Sequence, residues 1–171
     1  MYNDLHLMHG KHWTGQDLAG WWISEKYDGC RGIWDGRSMW SRNGNRIDVP
    51  PSWADALPDM PLDGEIWAGR GRFLESRIAV QYGRFTPDIA FMVFDAPAAG
   101  EFEARLELIR SALSRCRVAR PVSHARCAST RSALALARKI QTRDGEGVIA
   151  RAPRLHYVPG RTADILKLKH F

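Results

Sequence analysis

The stretch 24–32 (SEKYDGCRG) places a lysine between an apolar segment and a tight turn that contains glycine. The segments on either side are rich in aromatic and β-branched residues, which is typical of β-strands. Asp28-Gly29 predicts a hairpin turn between them, because glycine adopts positive φ angles without steric cost. Alternate residues of a strand share one face, so Lys26 would point into the space that this face lines. The stretch therefore predicts two strands and one positioned amine.

Lys26 can be interpreted as a nucleophile or as a surface residue. An amine attacks only when it is neutral, and a free lysine has a pKa of about 10.4. Burial near the end of a strand and neighbouring cations both favour the neutral form. The alternative is a solvated lysine on an exposed hairpin. The stretch alone leaves both interpretations open.

Composition and charge narrow the class of protein. A length of 171 residues suits one well-packed domain. The net charge of +6 comes mostly from arginine and favours a polyanionic partner, because guanidinium groups bind phosphate oxygens in pairs. Cys30, Cys116 and Cys127 are widely spaced, which suits reduced thiols rather than disulfides or a zinc site. We see no signal peptide and no apolar run of about 20 residues, so we expect a cytoplasmic location.

Hydrophobic patterns predict the remaining elements. Strands are expected at residues 62–67, 89–94, 144–150 and 165–171, and helices at about 102–113 and 129–142. The glycine-rich basic segment 69–72 between two of these strands is expected to be a mobile loop. In the last strand, alternation places Lys167 and Lys169 on one face. Strands and helices in this order predict an α+β domain.

Six short motifs occur in the order found in the covalent nucleotidyltransferases, a superfamily of ATP-dependent DNA ligases, RNA ligases and mRNA-capping guanylyltransferases. The segments that resemble motifs I, Ia, III, IIIa, IV and V are residues 26–31, 41–44, 62–65, 91–95, 146–148 and 167–169. Within the superfamily, the sequence is most similar to the minimal bacterial ATP-dependent DNA ligases of the E type. The similarity is carried by the segments SEK (24–26), WDG (34–36), LDGE (62–65), GRG (69–71) and LKLK (166–169).

The resemblance implies a covalent nucleotidyltransferase (ATP-grasp-like) domain. Its antiparallel sheets would flank an ATP cleft, with the helices outside. We expect a single adenylation domain over residues 1–171. Complete ligases continue past motif V into an oligonucleotide-binding (OB) barrel, whereas this sequence ends two residues after Lys169. The expectation is therefore no OB domain here, and a separate or deleted OB domain as a partner.

The resemblance also assigns roles to individual residues. Lys26 would be the nucleophile that becomes lysyl-AMP, and Phe94 would stack on adenine. Glu146 would be a ligand of Mg²⁺, with Mn²⁺ as an alternative metal. The remaining nucleotide-binding residues implied by the motifs are Glu25, Arg31, Arg42, Glu65, Lys167 and Lys169. Of these, Glu65 would accept hydrogen bonds from the ribose, and the two lysines would face the α-phosphate.

The predicted function is that of the catalytic domain of an ATP-dependent DNA ligase, acting as a monomer on nicked duplex DNA in repair, replication or recombination. It would transfer AMP from Lys26 to a 5′-phosphate and then seal the nick. An RNA ligase or a capping-type nucleotidyltransferase shares the same lysine chemistry. A second alternative is a catalytically weak module that binds nicks through Arg70, Arg72 and the last strand.

Overall fold

A computed structural model describes residues 2–169; Met1, His170 and Phe171, and with them the end of the predicted last strand, lie outside the described residues. Eleven strands and four α-helices occur in this range, after a short 3-10 helix at Asp4–His6. None of the described helices has the length and apolar character needed to cross a membrane.

The strands and helices alternate along the chain. The strands are β1 (Met8–His12), β2 (Trp22–Lys26), β3 (Cys30–Trp34), β4 (Met39–Ser41), β5 (Arg46–Ile47), β6 (Leu62–Trp67), β7 (Ala90–Asp95), β8 (Ala119–Pro121), β9 (Ala125–Arg126), β10 (Gly147–Arg151) and β11 (Gly160–Lys169). The helices are α1 (Pro51–Ala56), α2 (Phe73–Tyr82), α3 (Phe102–Leu113) and α4 (Thr130–Gln141). The fold class is α+β, as predicted.

The strands form two sheets. The first has the order β1-β11-β10-β2-β9, and the second has the order β5-β4-β3-β6-β7-β8. Most neighbouring strands are antiparallel, but β1 pairs with β11 and β7 with β8 in parallel. The predicted antiparallel sheets thus each contain one parallel pair as well, because a long crossover joins the two strands of that pair.

Each sheet has its own hydrophobic core on one face. Val148 and Ala150 of β10 pack with Ala137 and Ile140 of α4. In the second sheet, the residues of β6 and β7 that face away from the cleft pack against α3, whose four predicted apolar positions Phe102, Leu106, Ile109 and Leu113 are all buried. The helices thus cover the outer faces, which leaves the inner faces of the two sheets for a cleft.

The predicted hairpin at Asp28-Gly29 is wrong. β2 lies in the first sheet between β10 and β9, whereas β3 lies in the second sheet between β4 and β6. The turn is therefore a crossover between the sheets. A Cβ atom on Gly29 would lie 2.2 Å from the carbonyl oxygen of Ile66, so glycine is needed here for close approach of two backbones rather than for a positive φ. β2 and β3 each pair with strands that are distant in the sequence, and these pairings have overridden the local turn propensity.

The basic segment 69–72, which was expected to be mobile, is held by ion pairs. Arg70 donates two hydrogen bonds of 2.8 Å to the carboxylate of Glu25, and Arg72 pairs with Asp88. The segment leads directly into α2, a helix that the sequence analysis did not predict. α2 has a weak apolar stripe, with Ser76 and Ala79 as its only buried residues, so its sequence carries little helical pattern.

The close contact at Gly29 predicts a specific destabilisation. Gly29→Ala should lower the free energy of unfolding by about 3 kcal/mol, the upper end for overpacking, because the new methyl group meets a backbone carbonyl that cannot move aside. Gly32→Ala is the matched control in the next strand, since its nearest neighbours at 3.1 Å are side-chain ends. Urea unfolding of both variants tests this, and equal stabilities would contradict it.

Candidate active site

The inner faces of the two sheets enclose a cavity of about 330 Å³, within the size range of small-molecule sites. The first sheet contributes residues of β1, β2, β10 and β11, and the second contributes residues of β3, β6 and β7. The predicted site residues that line it are Glu25, Lys26, Arg31, Arg42, Glu65, Phe94 and Lys167. The two remaining predicted residues are Glu146 and Lys169. Glu146 accepts a hydrogen bond from Lys26, and Lys169 donates a hydrogen bond to Glu146.

Lys26 lies at the last position of β2, beside two further charged residues. Its Nζ is 2.5 Å from Oε2 of Glu146, and Nζ of Lys169 is 3.0 Å from the other oxygen of the same carboxylate. Strand register produces this arrangement, because Gly147 of β10 lies opposite Lys26 on one side and opposite Lys169 on the other. Burial opposes ionisation of Glu146, but the two lysines outweigh it and lower the pKa of this carboxyl.

Lys167 lies two residues before Lys169 and faces the cavity. Burial and the charge of Lys26 lower the pKa of Lys167. Among residues 2–169, the structure shows no ion pair for this side chain. A cation in a cavity without a carboxylate partner is suited to bind an anion such as a phosphate group.

Arg31 is held by a buried network. Its Nε and Nη2 donate hydrogen bonds of 2.7 and 2.6 Å to the two oxygens of Asp63, and the hydroxyl of Tyr157 donates a third of 2.8 Å. Arg31 also donates to the backbone oxygen of Met8 in the first sheet. Burial opposes its charge, but the adjacent carboxylate of Asp63 raises the pKa of Arg31 overall. The network joins the two sheets at the wall of the cavity.

Glu65 lies opposite Arg31 in the β3–β6 pair. Burial raises the pKa of this carboxyl to about 7, although the charges of Arg31 and Lys26 act in the opposite direction. A carboxyl group in this position can accept hydrogen bonds from hydroxyl groups in the cavity when it is ionised.

Phe94 presents its ring to the cavity between two guanidinium groups. The Cζ atoms of Arg31 and Arg151 each lie 5.1 Å from the ring centroid. Arg151 is buried, which lowers its pKa to about 10, and its Nη1 lies 3.4 Å from Oγ of Ser24. The ring offers a flat face to the cavity, as the stacking role requires.

Two predicted residues, Glu25 and Arg42, already have partners at the rim. Glu25 binds Arg70, and Nε of Arg42 donates a 2.7 Å hydrogen bond to Asp4. Residues 2–169 contain no group of three or more metal-binding side chains, so the predicted metal ligand Glu146 belongs to no such group. The structure thus brings all nine predicted residues to one cleft, but several of them are paired with each other or with neighbours.

Sequence reasoning missed Asp63, Arg151 and Tyr157, which line the same cavity. Alternation in β10 could have found Arg151, because it lies two residues after Ile149 on the cavity face. Tyr157 lies in the segment between β10 and β11, and no pattern in the sequence signals its contact with Asp63.

Known proteins are similar to this chain in both sequence and fold. The sequence matches no protein-family model. A DNA ligase from Haemophilus influenzae is 32% identical over 177 residues, which cover 98% of this chain. A structure from a study of Lig E DNA ligases, concerned with DNA binding by a minimal scaffold, has a TM-score of 0.88 at 27% identity over 96% of this chain and 68% of that one. The chain therefore has the fold of the nucleotidyltransferase domain of DNA ligases, and its sequence is similar to theirs over almost its whole length.

A third comparison supports the fold of this ligase-type domain. The Chlorella virus DNA ligase-adenylate has a TM-score of 0.80 at 20% identity and covers 95% of this chain and 68% of its own. The chain spans 63% of the length of the H. influenzae protein. The similarity therefore concerns the domain that contains Lys26 and its cleft.

The network of Arg31, Asp63 and Tyr157 predicts a large loss of stability on its disruption. Asp63→Asn should lower the free energy of unfolding by about 3–5 kcal/mol, because it leaves the Arg31 charge without its carboxylate partner. Tyr157→Phe removes one neutral donor from the same carboxylate and should cost about 1 kcal/mol. Denaturant unfolding measures both. A loss from Asp63→Asn no greater than that from Tyr157→Phe would show that the ion pair with Arg31 is not what stabilises this network.

Proposed function

We propose that this domain is the catalytic domain of an ATP-dependent DNA ligase that forms lysyl-AMP at Lys26. The observation that carries the proposal is the position of the Lys26 amine. It lies at the edge of a cavity of about 330 Å³, beside the carboxylate of Glu146 and near two further lysines. An amine, adjacent cations and an aromatic face in one cleft suit the attack of a nitrogen nucleophile on a nucleotide phosphate.

ATP would enter the cavity with its base against Phe94. Glu65 would accept hydrogen bonds from the ribose, and Arg31 lies opposite it across the strand pair. The α-phosphate would then lie near Lys26 with Lys167 and Lys169 beside it. The neutral amine of Lys26 attacks the α-phosphorus, a phosphorus–nitrogen bond forms, and pyrophosphate leaves. The two lysines stabilise the negative charge that develops on the phosphate oxygens.

Glu146 has two roles in this proposal. In the free protein it holds the amines of Lys26 and Lys169 in place. Mg²⁺ is commonly bound by one or two carboxylates together with substrate phosphates and waters, so a single carboxylate fits an ion that arrives with ATP. Such an ion, with Mn²⁺ as an alternative, would offset phosphate charge, and Glu146 would hold it.

The second and third steps use the same residues. The 5′-phosphate at a nick attacks the phosphorus of lysyl-AMP and releases the Lys26 amine. The 3′-hydroxyl then attacks the activated 5′-phosphate, which seals the strand and releases AMP. The net charge of +6 supports nicked duplex DNA as the substrate. We further propose that the domain acts as a monomer in the cytoplasm, and the free thiols of Cys30, Cys116 and Cys127 support that location. An OB domain on a separate segment would assist it.

RNA joining, capping and simple nick binding are less well supported. The similar proteins reported above are DNA ligases, and binding alone would not require an amine, a carboxylate and a second lysine in contact. Repair, replication or recombination would each supply nicks with the required 5′-phosphate.

Covalent adenylylation is the direct test of the proposal. Incubation with ATP and Mg²⁺ should increase the protein mass by one AMP, and Lys26→Ala should abolish the increase. Lys139→Ala is the control, because it removes an exposed lysine of α4 that does not line the cavity. Intact-protein mass spectrometry reads the result. An adduct that persists in Lys26→Ala would refute the assignment of the nucleophile.

Stacking on the base is tested at Phe94. Phe94→Ala should weaken ATP binding about 5- to 150-fold, the equivalent of the roughly 1–3 kcal/mol of an aromatic–base stack. Phe94→Trp keeps a flat ring and should retain most of the affinity. Calorimetric titration with ATP, beside an unfolding curve for each variant, separates binding from folding. A folded Phe94→Ala variant with unchanged ATP affinity would make Phe94 a packing residue only.

A further inference from the structure

Two side chains, one from β1 and one from the turn after β4, approach one oxygen of an acidic residue at the rim of the cleft. Nε of Arg42 donates a 2.7 Å hydrogen bond to Oδ1 of Asp4, in the short 3-10 helix that precedes β1. Nε2 of His9, in β1, lies 3.0 Å from the same oxygen. Arg42 and His9 both line the cavity of about 330 Å³. A carboxylate oxygen thus occupies the point at which a cavity arginine and a cavity histidine converge.

The contact between Asp4 and these residues is weakly held. The side chains of Arg42 and Asp4 are 52% and 53% exposed, and exposed ion pairs contribute little to stability. The side chain of His9 is only 10% exposed, and its Nε2 lies near Asp4 without the geometry of a hydrogen bond and has no other partner in the described chain. A buried ring nitrogen without a hydrogen bond is costly, so a better-placed acceptor at this point would stabilise it.

The surroundings of this point are cationic. Arg161 of β11 lies opposite His9 in the parallel β1–β11 pair. The charges of Arg161 and Arg42 both contribute to lowering the pKa of Lys167. Burial, followed by the charges of Arg31 and Arg42, lowers the pKa of His9, so its ring is neutral at neutral pH. The site therefore favours an anion that accepts one hydrogen bond from a neutral imidazole and a charged one from a guanidinium.

We propose that His9 and Arg42 form a phosphate subsite and that Asp4 occupies it in the free protein. A phosphate group of a nucleotide or of a nucleic acid displaces the Asp4 carboxylate, takes the hydrogen bond of Arg42 and accepts a further one from Nε2 of His9. The inference rests on the proposed function only in that this phosphate belongs to a substrate of the same cleft. It adds two residues, Asp4 and His9, that no ordered motif contains.

Salt dependence distinguishes displacement of Asp4 from ordinary phosphate binding. Binding of DNA phosphates releases counterions from the DNA, and a free arginine adds to this release with a slope of about −0.9 per contact in log K against log salt. In the wild type, Arg42 can bind a DNA phosphate only when its ion pair with Asp4 breaks. Asp4→Asn should therefore raise affinity up to about fivefold at low salt and steepen the slope.

The experiment measures binding without catalysis, so it remains informative if Lys26 proves unreactive. A fluorescent nicked duplex with a 5′-phosphate is titrated over a salt series without ATP, and ATP is titrated calorimetrically in parallel. Asp55→Asn is the matched control, because it removes the same charge from an exposed position on α1. A gain confined to the duplex identifies a nucleic-acid phosphate, and a gain confined to ATP identifies a nucleotide phosphate. No gain in either titration, or an equal gain in Asp55→Asn, would overturn the proposal.

The role of His9 has its own test. His9→Phe should weaken the same ligand whose affinity Asp4→Asn raises, whereas His9→Gln, which keeps a hydrogen-bond donor, should retain most of it. Unfolding curves of both variants exclude a loss of folding. Equal binding by His9→Phe and the wild type would remove His9 from the subsite and leave Arg42 with Asp4 as an ordinary surface ion pair.

Discussion

The central position of β10 in the first sheet is the constraint on which the candidate site depends. Because β10 pairs with β2 on one side and β11 on the other, Gly147 lies opposite both Lys26 and Lys169. A Cβ atom on Gly147 would lie 2.1 Å from the carbonyl oxygen of Leu168, so the strand can approach only with glycine here. Glu146 immediately before it then reaches both amines. A shift of register would separate the three charges.

The second requirement is that two independently packed sheets stay at a fixed distance. Each sheet has its own hydrophobic core, so the cores do not set the width of the cleft. Polar contacts do so instead: Arg31 binds Asp63 within the second sheet and the backbone of Met8 in the first. Hydrogen bonds of defined direction fix such a distance better than non-directional apolar contacts.

Many arginines of the cleft are already paired with a carboxylate in the free protein. Arg70 binds Glu25, Arg42 binds Asp4, and Arg31 binds Asp63. The pairs differ in burial, from the exposed pair at Asp4 to the buried carboxylate of Asp63, and the exposed one is the easiest to exchange for phosphate. A basic domain can in this way keep its cations ordered before a phosphate-bearing substrate arrives.

The sequence by itself determined the order of the motifs and, through their resemblance to a known superfamily, the identity of the nine candidate residues. It also determined the apolar stripes of α3 and α4, because these depend on local periodicity. Only the tertiary structure decided that β2 and β3 belong to different sheets, that α2 is a helix, and that Tyr157 meets Asp63. Each of these depends on partners distant in the sequence, whose contacts outweigh the local propensities that a pattern can report.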